Sequence, residues 1–475
     1  MEQVEGLSPE QEEDEVEVPE AVIVTPGEGQ SNTDALIFHT LEQLANEQTE
    51  ALHTDLRLYT PAEIADLLES LPLAERQAVA EEIDPEVMPD VLSEMQVGTR
   101  STITETLDLE TLTASINALP EPYAVELLDG LPEELADEIR ESLDPKARQR
   151  LEATLEWEEG SAGRLMHVDE VSVRTGITLA TIQRYLRFLK HVPTNSDGLM
   201  IVDREGFYLG KVSFAAILTH PPETLVESVM DRNAVAVQGD SSEEEVARLF
   251  EQRDLLSVAV VDELGMLVGR ISIDDVVDVI RQMADEQMMH MANLHELDDT
   301  FGPVLPSARR RAVWLGINLL TAFLASWVIG LFQGALEKIV ALAVLMPIVS
   351  SMGGITGSQT LALVIRGLSL GTISSSNARQ LAMKELAVGT LNGVLWAVVV
   401  AGVTMVWFHD YALGAVIGVA LVLNMGIAAL SGWGLPLLLT RYGQDPAISG
   451  SVLLTTVTDV VGFMGFLGLA TLLLL

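Results

Sequence analysis

Cysteine is absent from all 475 residues, which excludes disulfides and thiolate metal sites. Basic residues are scarce, 27 against 70 acidic ones, for a formal net charge of -43. So acidic a chain repels nucleic acid and anionic lipid surfaces and attracts counter-cations, so nucleic acid is not an expected partner. The scarcity of lysine also fits general solubility or adaptation to high salt. No phosphate-cradling Walker loop and no nucleophile paired with a base is present, so no enzymatic activity is expected. The first 20 residues hold nine acids and no apolar stretch, which is not the pattern of a secretory signal.

What is present is unevenly distributed. From Arg309 onward eight basic and five acidic residues nearly cancel, whereas the first 308 residues carry 19 basic and 65 acidic side chains. An acidic soluble half is therefore joined to an apolar half. Residues 1–30 are acidic and poor in large apolar groups, and read as a disordered tail. Residues 31–158 read as an acidic helical domain, with Ile64, Leu67, Leu68 and Leu71 at helical spacing. Its breaks fall at Leu71-Pro72, Asp84-Pro85, Leu119-Pro120, Leu131-Pro132 and Asp144-Pro145, which predicts a superhelix of short antiparallel helices.

An internal repeat follows. Val202-Asp203-Arg204-Glu205-Gly206 with Leu209-Gly210-Lys211-Val212-Ser213 returns 59 residues later as Val261-Asp262-Glu263-Leu264-Gly265 with Val268-Gly269-Arg270-Ile271-Ser272. Each copy reads as strand, glycine turn, strand and helix, so residues 159–225 and 226–282 are expected to be two α/β modules packed together. Beyond them, 283–308 reads as a polar connecting helix carrying Met283, Met288, Met289 and Met291. Methionines at helical spacing most often serve adaptable packing.

The apolar half, 309–475, divides at its charges. Uncharged runs cover 312–336, 339–365, 386–409 and 411–440, and 446–475 is interrupted only by Asp459. Each exceeds the roughly 20 residues that cross a bilayer, so five transmembrane helices are expected. Alternate loops place seven basic residues on one side and only Lys338 on the other. The positive-inside bias then puts the acidic half in the cytosol and the carboxyl terminus outside. Asp459 lies mid-span, where an ionised carboxylate costs about 2.5 kcal/mol or more and so faces a partner, a cavity or an ion. Five helices make a thin pore wall, and a symmetric homodimer would bring two copies of Asp459 to a shared axis. Pro347 and the run Met352-Gly353-Gly354-Ile355-Thr356-Gly357-Ser358-Gln359 place a helix breaker and close-packing glycines at membrane depth.

The repeated modules resemble a tandem pair of cystathionine-β-synthase (CBS) modules. With the helical acidic domain, the connecting helix, five spans, the Met352–Gln359 glycine motif, Asp445-Pro446-Ala447, Thr455-Thr456, Asp459 and Gly462, nearly the whole chain resembles the MgtE family of magnesium channels. The resemblance implies a plasma-membrane homodimer that takes up Mg2+ passively and is gated by cytosolic Mg2+. It implies that Asp459 recognises the ion, that Thr455, Thr456, Asn424 and Gly462 line or support the pore, and that Asp275, Asp278 and Glu286 belong to a cytosolic sensor. It further implies that the connecting helix is a plug. In CBS modules a hydroxyl and an acid three residues on bind adenosine, which points to ATP at Ser272 and Asp275; the first copy has Ser213 but Ala216. The pair equally suits a helix cap. The chain departs from the family at Ile355, where a polar residue is usual, and at Met283 and Gln287, where carboxylates are expected. Transport of another divalent ion such as Co2+ or Mn2+, or a magnesium sensor that no longer conducts, are the alternatives.

Overall fold

A computed structural model describes residues 28–168, 172–189, 196–295, 298–374 and 376–475, with the backbone alone for 28–34. Of the expected disordered tail, residues 1–27 lie outside the described residues. The first helix, α1 (Glu28–Ala45), already begins within its last residues.

Helix breakers set the architecture of the N-terminal domain. Short helices follow one another from α1 to α10 (Pro145–Leu155). Pro72, Pro120 and Pro132 stand at the N-caps of α4 (Leu73–Glu81), α8 (Glu121–Asp129) and α9 (Glu133–Ser142), and Pro145 opens α10. Proline is tolerated there because the first N–H groups of a helix have no intrahelical acceptor to lose. Pro85 instead lies in a turn before α5 (Met88–Glu94). Ile64, Leu67 and Leu68 on α3 (Pro61–Glu69) are buried with Leu71, Val91, Leu92, Ile103 and Leu112 in one apolar core.

The sequence repeat becomes two three-stranded sheets of matching design. In the first, β2 (Gly198–Val202) pairs parallel to β1 (Ser172–Arg174) and antiparallel to β3 (Tyr208–Ser213). In the second, β5 (Ser257–Val261) pairs parallel to β4 (Ala236–Gln238) and antiparallel to β6 (Leu267–Ser272). The hairpin explains the repeated residues. Asp203 Oδ1 accepts the N–H groups of Glu205, Gly206 and Phe207 at 2.8–2.9 Å, and Asp262 Oδ1 accepts those of Leu264 and Met266. Gly206 and Gly265 adopt φ of 101° and 88°, which a side chain would strain. The two hairpin tips bond to each other, Tyr208 N–H to Gly265 O and Leu267 N–H to Gly206 O, both 3.1 Å.

The connecting helix expected over 283–308 is not a separate element. α15 (Ile273–Met291) runs unbroken from the cap at Ser272, because no proline or glycine interrupts it, and Asn293 beyond its end takes a left-handed φ of 57°. Among the described residues no helix lies between Met291 and Val304.

Five helices are long and apolar enough to cross a membrane: α16 (Val304–Gly330), α18 (Ala341–Ser369), α19 (Ala378–Phe408), α20 (Tyr411–Arg441) and α21 (Pro446–Leu474). The first starts before its uncharged run and so includes Arg309, Arg310 and Arg311; it stops at Gly330, and a short α17 (Gln333–Lys338) follows. α20 is the central post, with 67% of its most apolar stretch buried against 11% for α16.

An ionic strap joins the two halves. Arg76 of α4 is fully buried, donates to both carboxylate oxygens of Asp299, and also donates Nε–H to Leu68 O at 2.8 Å. The preceding residue, Asp298, accepts from Arg310 Nε of α16 at 2.7 Å. Breaking a buried pair by removing one partner costs about 3–5 kcal/mol, because the other charge stays buried. Arg76→Ala is therefore expected to raise amide hydrogen exchange across 61–104 of the purified chain by about a hundredfold. Unchanged exchange would show that the strap is not holding the domain.

Candidate functional site

The membrane site is built on α21. Asp445 caps that helix by accepting the Ala447 N–H at 2.7 Å, and Pro446 fills its first turn. Thr456, Asp459 and Gly462 then follow at three-residue spacing, with Thr455 one turn before Asp459. Asp459 is half-buried, and the Ser350 hydroxyl of α18 donates to its Oδ1 at 2.5 Å. Among the described residues no basic side chain forms an ion pair with Asp459. The two threonines donate their hydroxyls to carbonyls one turn back, Thr455 to Ser451 O at 2.9 Å and Thr456 to Val452 O at 2.8 Å. Their oxygens keep lone pairs free to face a cation.

Asn424 and Gly462 meet in the helix packing. Asn424 of α20 is 2% exposed and donates Nδ2–H to Val349 O of α18 at 2.8 Å. It wedges between two glycines: a Cβ on Gly353 would stand 2.3 Å from its Nδ2, and one on Gly462 would stand 2.9 Å away. Its buried Oδ1 has no hydrogen-bond partner among the described residues. Ile355, by contrast, is 55% exposed on α18. A further carboxylate, Glu385, is buried in α19, where Thr360 Oγ1 donates to it at 3.3 Å and Lys384 Nζ lies at 3.0 Å. α19 therefore starts before the uncharged run at 386–409, since a charge ends such a run whether or not the helix continues.

The three expected sensor residues occupy different environments. Asp275 is buried in a capping box: its carboxylate accepts from the Ser272 N–H and hydroxyl, and His167 Nε2 lies 2.9 Å from its Oδ1. Burial pushes its carboxyl up, but the His167 and Ser272 hydrogen bonds outweigh that and hold it below the ordinary range. Asp278 accepts the Tyr123 hydroxyl from α8 at 2.7 Å, and Gln282 Nε2 donates to Glu286 at 2.8 Å. Among the described residues no three His, Asp or Glu side chains converge as a ready-made metal site.

The acids that do face each other were missed from sequence. Glu243, in the Glu243-Glu244-Glu245 run that opens α14 (Glu243–Arg253), is pushed up to about 7 by burial and then by the negative charges of Glu286, Glu126, Glu159 and Glu244. Burial and then Asp278 likewise raise Glu94 of α5. These residues come from the N-terminal domain, the second module and α15, so no spacing along the chain could have grouped them.

The last turns of α15 dock beneath the spans. Gln287 Nε2 donates to Ser369 Oγ at the end of α18 at 2.8 Å, and His290 Nδ1 lies 2.8 Å from Asp445 Oδ2. Ser451 Oγ donates to Asn293 Oδ1 at 3.3 Å, two turns from Asp459. Met283 packs partly buried against the second module's core.

Three stretches of the chain match known protein families. Residues 346–469 match the family described as divalent cation transporter, 59–160 match the MgtE intracellular N domain and 226–282 match the CBS domain. This defines a membrane protein of the divalent-cation transporter class with a CBS-bearing soluble half. The magnesium transporter MgtE of Thermus thermophilus is 35% identical over 341 residues, covering 71% of this chain and 75% of that protein. The magnesium transporter MgtE of Bacillus subtilis is 27% identical over 439 residues, covering 92% and 97%. The chain belongs to the MgtE family of magnesium transporters. Among solved structures, the cytosolic domain of the Mg2+ channel MgtE in complex with ATP is 30% identical, with a TM-score of 0.47, over 51% of this chain and 99% of that one.

Glu243 gives the interface a pH dependence of definite sign. Its folded pKa lies above the ordinary 4.5, so the docked arrangement binds the extra proton and loses stability as pH rises from about 4.5 to about 7. Thermal unfolding of the full chain in magnesium-free buffer is expected to show a higher midpoint at pH 5.5 than at pH 7.5, with the difference reduced in Glu243→Gln. An identical difference in the variant would remove Glu243 from this role.

Proposed function

We propose that the protein is a magnesium channel that admits Mg2+ passively into the cytosol and closes as cytosolic Mg2+ rises. The observation that carries this reading is Asp459: a carboxylate at membrane depth, bonded to a hydroxyl and without a basic partner among the described residues. Magnesium surrenders water reluctantly, so recognition of the hydrated ion by a carboxylate and nearby hydroxyl and carbonyl oxygens suits its chemistry. In a homodimer the two Asp459 side chains would share an axis, and their repulsion when empty would favour a divalent ion. Thr455 and Thr456 supply the neighbouring oxygens, whereas Asn424 and Gly462 act through packing. No fuel is required, since a double charge gains about 4.6 kcal/mol per 100 mV of inside-negative potential, at about 2.3 per charge.

The basic loops orient the acidic half toward the cytosol, where α15 acts as the plug. Its docking on Ser369 and Asp445, with Asn293 just beyond its end bonded to Ser451, supports that role. The sensor is read as Glu243 facing Glu286 and Glu94 facing Asp278, with magnesium relieving their repulsion in the docked, closed state. For this to gate, the ion must bind the closed state more tightly than the open one. Asp275 and Ser272 serve the cap of α15, so neither is assigned a nucleotide or ion in this reading.

Flux into proteoliposomes tests the pore, with Asp459→Ala expected to abolish magnesium uptake; uptake equal to the parent would sink the channel reading. Cobalt and manganese competition in the same assay separates magnesium selectivity from general divalent transport. For the gate, millimolar magnesium is expected to slow limited proteolysis between the N-terminal domain and the CBS pair several-fold, and equal cleavage rates would count against it.

A further inference from the structure

Ser350 has no part in the family-derived reading, yet it is the residue that touches the Asp459 carboxylate. We propose that Ser350 is a positioning residue for ion recognition: its hydroxyl fixes Oδ1 of Asp459 and leaves Oδ2 presented to the hydrated cation. The proposal rests on the reading of Asp459 as the ion-recognising group.

The direction of the hydroxyl is the first argument. Serine and threonine within a helix usually return their hydroxyl to the carbonyl one turn back. Thr356 and Ser369 on the same helix do so, toward Met352 O at 2.8 Å and Ile365 O at 3.2 Å. Ser350 instead reaches across to α21, to a residue 109 positions away, at a distance of 2.5 Å that is typical of a hydroxyl bonded to a charged carboxylate.

Second, the register of α18 is held at this level. Pro347, three residues earlier, has no N–H to give to Ala343 O, so the helix is less firmly tied to its preceding turn there. Asn424 grips the following turn by bonding Val349 O, and it fills the space that Gly353 and Gly462 leave by lacking a Cβ. Consecutive residues of α18 are thus gripped by α20 and α21 in turn. The chain of contacts runs from Asn424 through Val349 and Ser350 to Asp459.

The consequence is chemical. Without the serine the carboxylate would turn about its own bond and offer either oxygen to the ion. Magnesium's water shell is strictly octahedral whereas calcium tolerates varied geometry, so a fixed oxygen favours the former. Ser350 also answers the departure at Ile355. The second span does present a polar group toward the carboxylate, one helical turn and more before the glycine motif's Ile355, whose side chain is exposed.

The test compares shape-matched variants in magnesium-loaded proteoliposome flux, with calcium as competitor. Ser350→Val and Ser350→Thr have the same branching and differ in the hydroxyl. Ser350→Thr is expected to behave as the parent. Ser350→Val is expected to raise the half-saturating magnesium concentration about ten-fold, as for the loss of one charge-assisted hydrogen bond. It should also strengthen calcium competition while keeping saturating flux within about two-fold. The adjacent, exposed Ser351→Ala is the control and should match the parent. Equal half-saturation and calcium competition in the Thr and Val variants overturn the proposal. Asp459→Ala in parallel separates the two failures: silent Asp459→Ala with equivalent Ser350 variants rejects the positioning role alone, whereas conducting Asp459→Ala rejects the pore reading beneath it.

Discussion

Hydrocarbon offers no hydrogen bonds, and a carboxylate placed in it must be met by protein, water or an ion. Asp459 imposes that requirement on the membrane half. α18 answers it with the Ser350 hydroxyl, α20 keeps α18 in register through Asn424, and the glycines at 353 and 462 let three helices approach closely enough for both contacts. The burial of α20 follows from the same need, since the post that carries Asn424 must be enclosed by the helices it aligns.

The soluble half is governed by the opposite problem, too much charge of one sign brought together. The N-terminal domain is held to the rest of the chain by Arg76–Asp299 and by Tyr123–Asp278 across to α15, while Arg100–Glu126 ties it internally. Against these work Glu243 and Glu94, whose raised carboxyls register the cost of docking beside their acidic neighbours. Attraction at buried pairs and repulsion at a half-buried face are of comparable kind. The docked arrangement therefore depends on what neutralises that face, protons at low pH or, in the proposed gate, magnesium.

Much of the fold was legible because it obeys short-range rules. Uncharged runs long enough to span, the repeated Val-Asp-x-x-Gly hairpin and prolines at helix starts each have a local cause, and each appears in the structure. The connecting helix was misplaced for the same reason. A change from apolar to polar composition suggested a boundary at 283, but composition does not break a helix, and α15 continues from its cap at Ser272 to Met291. The sensor residues were carried over by position. One of them, Asp275, is engaged by Ser272 and His167 inside the fold, and it is Glu243, on another element, that faces Glu286.

The sequence by itself determined that an acidic soluble half precedes five spans, that one module is duplicated, and that a single carboxylate lies deep in the last span. Each depends on periodicity, charge or length along the chain. Tertiary structure alone decided which oxygen of Asp459 is engaged, that Asn424 is a wedge, that Arg76 ties the N-terminal domain to the approach of α16, and which acids confront one another. These depend on side chains from separate helices meeting in space. Ser350 and Asp459 are 109 residues apart, and nothing in either segment specifies the crossing that brings them to 2.5 Å.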